Sequence, residues 1–183
     1  MKKENLTLYV LRLTFTLLLI TGLVAAALAG VNSITAPIIA QLNAEKTQQA
    51  IEAVLPGGGE AVEEFPDETG LVKAVYASEA GYAIQVTPAG FDGTIDMMVG
   101  IDTEGKVLGI SIISHTETAG LGAVAAASGA AGESFRGQFV GQSGSLAVTK
   151  DGGSVDAITG ATITSRAVTE GVNAALACAA AMG

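Results

Sequence analysis

The run from Asp156 to Ser165 brings together one carboxylate, four hydroxyl side chains and a Gly–Ala pair at the start of a helical pattern. The first turn of a helix carries unpaired N–H groups and partial positive charge, so it stabilises a phosphate without any Arg or Lys. Gly160 permits close backbone approach, and hydroxyls donate hydrogen bonds to phosphate oxygens. The hydroxyl residues are Thr159, Thr162, Thr164 and Ser165. Thr and Ser are also ordinary N-cap residues, and the residues alone neither distinguish capping from anion binding nor select one Thr.

A second block of small and polar residues, His115-Thr-Glu-Thr-Ala-Gly-Leu-Gly122, precedes this run. Together the two blocks resemble the FMN-binding domain family, which is shared by the G subunit of the Rnf electron-transport complex and the C subunit of the sodium-pumping NADH:quinone reductase. The family motif Asp-x-x-[Ser/Thr]-Gly-Ala-Thr is matched at every fixed position by Asp156–Thr162. The family's His-x-Glu-Thr-Pro-Gly-Leu-Gly is matched except at Ala119, where the loss of Pro frees φ and restores an N–H.

The resemblance implies one covalently bound FMN per chain. A flavin transferase would use FAD to join the FMN phosphate to the Thr162 hydroxyl, and Asp156 would be the acid that the transferase requires. The isoalloxazine ring would lie along the earlier block. The residues that the two blocks assign to the cofactor are Thr162, Asp156, Thr159, Gly160, Ala161, Thr164, Glu117, Thr118, Leu121 and Gly122. Redox chemistry would reside on FMN, so no separate catalytic residue and no metal ligand is expected.

The composition narrows the class of protein. The 183 residues carry a formal net charge of −9 and contain no Lys/Arg cluster, which argues against nucleic acid as a partner. The single cysteine, Cys178, excludes an internal disulfide and any iron–sulfur or zinc site built from several thiolates of this chain. Its Ala-rich neighbours indicate a small buried residue. A chain of this length suits one domain with an appendage.

An apolar run from Leu13 to Val31 contains no ionisable residue and has the length that a helix needs to cross the hydrocarbon layer. Three basic residues precede it and the next charge is Glu45, so the positive-inside tendency places the amino terminus in the cytoplasm and the rest of the chain outside. The basic residues are Lys2, Lys3 and Arg12. Ala27-Leu-Ala29 would suit signal-peptide cleavage, but the run exceeds the usual signal core of roughly 7–15 residues. We therefore expect an uncleaved, single-pass anchor in the cell (inner) membrane.

The elements that must position the two blocks form an α+β fold. Residues 1–34 are the predicted anchor, 35–60 a connecting helix and 61–183 an extracytoplasmic FMN-binding domain. Thr35 and Pro37 predict the start of the connecting helix, as a cap and a first-turn residue, and Pro56-Gly-Gly-Gly59 predicts its end. This helix could extend the membrane helix outward. An acidic, solvated loop is expected from Glu60 to Thr69.

A mainly antiparallel sheet is expected after this loop, because the strand-like runs are joined by turns too short for parallel crossovers. The predicted strands cover residues 71–77, 82–87, 94–101 and 107–113, with a further strand near 145–149. A helix from about 165 to 181 closes the chain and flanks the sheet.

Between the two complexes, the short length and the anchor followed directly by one compact domain favour the Rnf G subunit. The resemblance then implies a redox subunit of an ion-translocating ferredoxin:NAD⁺ oxidoreductase, with no complete active site of its own. Electrons would cross the membrane through the iron–sulfur A and E subunits, reach FMN on the outer face and pass to the flavin of the membrane-embedded D subunit. Three alternatives stay open: the C subunit of the sodium-pumping reductase, a flavinylated carrier serving another extracytoplasmic reductase, and a flavin-free anchored binding module.

Overall fold

The computed structural model describes residues 6–183, and the chain divides into two compact units between Glu45 and Lys46. Lys2 and Lys3, which contribute to the predicted orientation, lie outside the described residues. Helix α1 covers Leu6–Val54. Its amino-terminal part is long and apolar enough to cross a membrane by length and composition, with a mean hydropathy of 2.2 in the most apolar window and none of that window buried.

Pro37 does not begin a new helix, so the predicted start at Thr35 is wrong. Pro37 lies inside α1, and the Thr35 hydroxyl donates back to the Val31 carbonyl at 3.0 Å instead of capping a following turn. Proline removes one backbone donor, but the helix continues through Pro37 for a further 17 residues, to Val54. The helix ends at Val54, where Pro56 and the glycines that follow prevent its continuation, as predicted.

The second unit is built on a five-stranded antiparallel sheet whose strands are neighbours in chain order. The strands are β1 (Glu60–Val62), β2 (Val72–Ser78), β3 (Gly81–Val86), β4 (Asp96–Asp102) and β5 (Val107–Ser114). This confirms the α+β class and the four predicted strands of the meander. β1 lies where a loop is predicted. Its three residues pair with Val75–Ala77 of β2, and an edge strand this short leaves no readable alternation.

The predicted strand near residues 145–149 is also wrong. Leu146 and Val148 are buried, which produces the strand-like alternation, but Leu146 exchanges both backbone hydrogen bonds with the side-chain amide of Asn173, each at 2.8 Å. Only an isolated bridge joins Val148 to Val155, and a 3₁₀ turn follows at Thr149–Asp151. A side chain therefore occupies the place that a neighbouring strand would take.

Two helices flank the sheet because the side chains of each strand alternate between its faces. Helix α3 (Thr162–Met182) packs Val168, Val172 and Ala175 against one face, with Gly171 close to the ring of Pro88. The last turn of α1 packs against the other face. There a Cβ on Gly100 would overlap the carbonyl of Val54. A short helix α2 (Ala130–Gly137) and a 3₁₀ helix (Gly122–Ala126) lie between β5 and α3 in the sequence.

Candidate functional site

Eight of the ten residues predicted for the cofactor line one pocket of about 360 Å³. Four segments form it: the loop between β3 and β4, the loop after β5, the 3₁₀ turn Thr149–Asp151, and the turn before α3 together with the first turn of that helix. The eight residues are Glu117, Thr118, Leu121, Gly122, Gly160, Ala161, Thr162 and Thr164. Three further lining residues are absent from the sequence-based prediction: Phe91, Lys150 and Ile163.

Thr162 is the first residue of α3, three positions before the predicted helix start. The N-cap is Ala161, and no side chain caps the helix. The N–H groups of the first turn therefore lack a side-chain acceptor and remain available to an anion at this end of the pocket. Capping, the alternative use of the hydroxyls, is not what the structure shows.

The four hydroxyl groups of this region have different environments. Ser165 is buried, donates to the carbonyl of Ala161 at 2.9 Å and accepts from the N–H of Ile158 at 3.0 Å. Thr164 is buried and donates to Glu117. Thr162 is half-buried at the pocket wall, whereas Thr159 is exposed and lies outside this pocket. Thr162 thus combines a pocket position with a hydroxyl that holds no buried partner in place.

Lys150 supplies a positive charge at Thr162 that the sequence pattern does not predict. Its Nζ donates to Thr162 Oγ1 at 2.9 Å. The neighbouring Asp151 forms a paired contact with Arg166, one turn along α3, with N–O distances of 2.6 and 2.7 Å. These hydrogen bonds from Arg166 lower the pKa of Asp151. The ion pair holds the 3₁₀ turn that carries Lys150 against the first turn of α3.

Glu117 connects three of the four segments of the pocket, all but the turn that carries Lys150. It is 7% exposed, and its Oε1 accepts from the N–H groups of Phe91 at 2.7 Å and Asp92 at 3.1 Å, while Oε2 accepts from the Thr164 hydroxyl. Gly122 is required beside it, because a Cβ there would overlap both the carboxylate and the Thr164 hydroxyl. Both oxygens of Glu117 are therefore used to hold the pocket walls together.

Asp156 and Thr159 line a second concavity, of about 390 Å³, which shares no lining residue with the pocket that contains Thr162. Both side chains are exposed. Gln138, which follows α2, holds the backbone of Asp156 from both sides: Oε1 accepts from its N–H at 2.7 Å and Nε2 donates to its carbonyl at 3.2 Å. The seven-residue motif is therefore divided between two surfaces.

Residues 90–177 match the family model of the FMN-binding domain, and this stretch contains every residue of the pocket. Beyond this domain, most of the chain is similar to most of the length of several known proteins. The chain is 35% identical, over an alignment of 187 positions, to the G subunit of the Na⁺-translocating ferredoxin:NAD⁺ oxidoreductase complex of Acetobacterium woodii. The alignment covers 90% of this chain and 88% of the relative.

Two other relatives are also G subunits of ion-translocating complexes. The G subunit of the proton-translocating ferredoxin:NAD⁺ oxidoreductase complex of Clostridium ljungdahlii is 36% identical over 166 residues, which cover 86% of this chain and 83% of the relative. The G subunit of the ion-translocating oxidoreductase complex of Methanosarcina acetivorans is 31% identical over 173 residues, with 88% and 89% covered. The chain belongs to this family of G subunits, whose members carry an FMN-binding domain.

Proposed function

We propose that the chain carries FMN as a phosphoester on Thr162 and relays electrons as the membrane-anchored G subunit of an ion-translocating ferredoxin:NAD⁺ oxidoreductase complex. The observation that carries the proposal is the environment of Thr162: a hydroxyl at an uncapped helix N-terminus, 2.9 Å from a lysine ammonium, in a pocket with apolar walls. Family membership supports the choice of FMN.

The residues of the pocket fit the parts of FMN. Lys150 and the first turn of α3 would hold the phosphate, because an ammonium and free N–H groups stabilise an anion. Leu121 and Ile163 offer apolar surface to a planar ring. Gly160 leaves room for the side chain of Leu121, since a Cβ on Gly160 would lie 3.1 Å from Leu121 Cδ2. When bound, FMN supplies one- and two-electron chemistry that amino-acid side chains lack.

Attachment requires an acceptor oxygen and a leaving group. In the proposed step the Thr162 oxygen forms a bond to the FMN phosphorus of FAD, the bond between the two phosphates breaks, AMP leaves and the hydroxyl proton is released. Asp156 and Thr159 face outward on the second concavity. There they are accessible to a flavin transferase, whereas Glu117 and Thr164 are buried and would act on the cofactor site by shaping it.

The proposed arrangement in the cell has three parts. Residues 1–34 anchor the chain, residues 35–60 connect, and residues 61–183 carry FMN on the outer face, with the amino terminus in the cytoplasm. Electrons arrive through the iron–sulfur A and E subunits of the membrane and leave to the flavin of the membrane-embedded D subunit. The single helix suited to crossing a membrane among the described residues supports the anchoring part of this proposal.

The test is covalent flavin at Thr162. The full chain, expressed beside a flavin transferase, should carry one FMN by intact mass, and peptide mapping should place it on Thr162. Thr162→Val should lose in-gel flavin fluorescence while remaining folded, and Thr162→Ser should retain it because the acceptor oxygen is kept. Covalent flavin persisting in Thr162→Val would overturn the assignment, and an unmodified natural chain would favour a flavin-free module. Co-purification with the other subunits tests the complex.

A further inference from the structure

The pocket that contains Thr162 is surrounded by exposed apolar side chains. In residues 46–183, five large hydrophobic residues are exposed, and three of them line this pocket: Phe91 at 67%, Leu121 at 44% and Ile163 at 50%. The other two, Leu108 and Val140, lie elsewhere. Apolar side chains grouped at a pocket mouth indicate a surface that is covered when the site is occupied.

Phe91 stands out because its backbone is held firmly while its ring is exposed. It lies in the turn Gly90–Gly93, where the N–H of Gly90 donates to the carbonyl of Gly93 at 2.7 Å. Glu117 accepts from the N–H groups of Phe91 and Asp92, and the Thr116 hydroxyl donates to the Asp92 carbonyl at 2.6 Å. A mobile loop could turn the ring away from water, but this turn keeps it at the mouth of the pocket.

The turn also fits tightly against its support. A Cβ on Gly90 would overlap Glu117 Oε1, and a Cβ on Gly93 would overlap the Thr116 hydroxyl. Gly93 has φ +138°, a conformation that residues with a side chain rarely adopt. The two glycines therefore let the backbone of the turn approach Glu117 and Thr116 closely, which fixes where the aromatic ring can lie.

We infer that Phe91 packs on the isoalloxazine ring of the flavin held at Thr162, and that Glu117 is a positioning residue that holds the Phe91 turn in place. This inference rests on the proposed function. An aromatic side chain beside a planar, polarisable ring gains contact energy beyond area burial. With the phosphate fixed by the ester and Lys150, the isoalloxazine ring can still move through the rotatable bonds of the ribityl chain, and contact with Phe91 restricts this motion.

The experiment measures ring motion in the full, flavinylated chain in detergent micelles, by time-resolved fluorescence anisotropy of the flavin and by iodide quenching. In Phe91→Ala, covalent flavin content should equal that of the natural chain, but a fast local rotation should appear and the population of docked ring should fall about threefold or more. Val140→Ala, which removes an exposed apolar side chain outside the pocket, should leave both readouts unchanged.

The role of Glu117 is tested by the same two measurements, anisotropy and iodide quenching. A residue that only stabilises the fold would not change them in a folded, flavinylated chain. Glu117→Ala removes the oxygen that accepts from the N–H groups of Phe91 and Asp92. It should increase ring rotation, and the double variant with Phe91→Ala should add nothing further, because both act through one contact. If Glu117→Ala does not fold, Thr116→Val loosens the same turn from its exposed side and should give the smaller effect.

The outcomes separate the two proposals. A natural chain without covalent flavin overturns the proposed function and this inference with it. A flavinylated chain in which Phe91→Ala keeps the anisotropy and quenching of the natural protein overturns this inference alone. Unchanged ring motion with lost assembly into the complex also overturns it, and assigns Phe91 to a protein contact.

Discussion

Thr164 and Thr162 lie two residues apart in the first turn of α3, and replacing each with Val should lower the free energy of unfolding by very different amounts. Thr164→Val removes the hydroxyl that donates to Glu117, whose side chain is buried. A hydrogen bond to a charged group contributes about 1.5–3 kcal/mol, and the loss leaves one buried carboxylate oxygen without this donor. We expect the free energy of unfolding of the flavin-free chain to fall by about 2 kcal/mol.

Thr162→Val is the matched control, since it makes the same change at a hydroxyl whose partner, Lys150, is exposed and can turn to water. Its free energy of unfolding should change by about 0.5 kcal/mol or less. Urea denaturation of both variants in the same micelles, followed by far-ultraviolet circular dichroism, measures the difference. Equal destabilisation of the two variants, or a smaller loss in Thr164→Val, would refute the distinction between Thr164 as a structural residue and Thr162 as the proposed acceptor.

Two further changes test the packing and a loop. Gly100→Ala should lower the free energy of unfolding by about 2 kcal/mol, because its Cβ would overlap the carbonyl of Val54. Gly137→Ala, at the open end of α2, should be neutral or stabilising, and a similar loss there would contradict the role of the overlap. At Asp67, partial desolvation raises the pKa, but hydrogen bonds from Thr69, Val72 and Gly70 together outweigh it and hold the pKa below the ordinary value of an aspartate. Asp67→Ala, measured by urea titration, should therefore lower the free energy of unfolding fully near neutral pH and by less as the pH falls through that lowered pKa. A difference between the variant and the natural chain that persists in acid would contradict the role of the ionised Asp67.

The sequence predicted the elements whose stability depends on local pattern. The strands of the meander have turn residues at both ends, and α1 ends where Pro56 and three glycines follow. The errors at Pro37 and near residue 147 have one cause: hydrogen bonds that depend on context. A proline is tolerated within a long apolar helix, and the amide of Asn173 replaces a strand partner from 27 residues away. No local window contains that information.

In the candidate site too, local sequence patterns predicted some residues, whereas others depend on tertiary contacts. The two sequence blocks contain nine of the lining residues, of which all but Ile163 were predicted, but Lys150 and Phe91 come from outside both blocks and reach the pocket only through tertiary folding. Lys150 is one of few basic residues in an acidic chain, but the sequence does not show where in the fold it lies. The roles of the predicted residues within the pocket also required the structure, since only the contacts of Glu117 and Thr164 show that they bind each other.

The meander of the sheet has a consequence for the timing of assembly. Its strands pair with their sequence neighbours, so β1 to β5 can form from local contacts while the rest of the chain is still being made. The pocket is different, because one wall is the first turn of α3, which is not part of the meander. The pocket therefore forms only after α3 has been made and has packed on the sheet, and under the proposed function the attachment of the flavin follows that step.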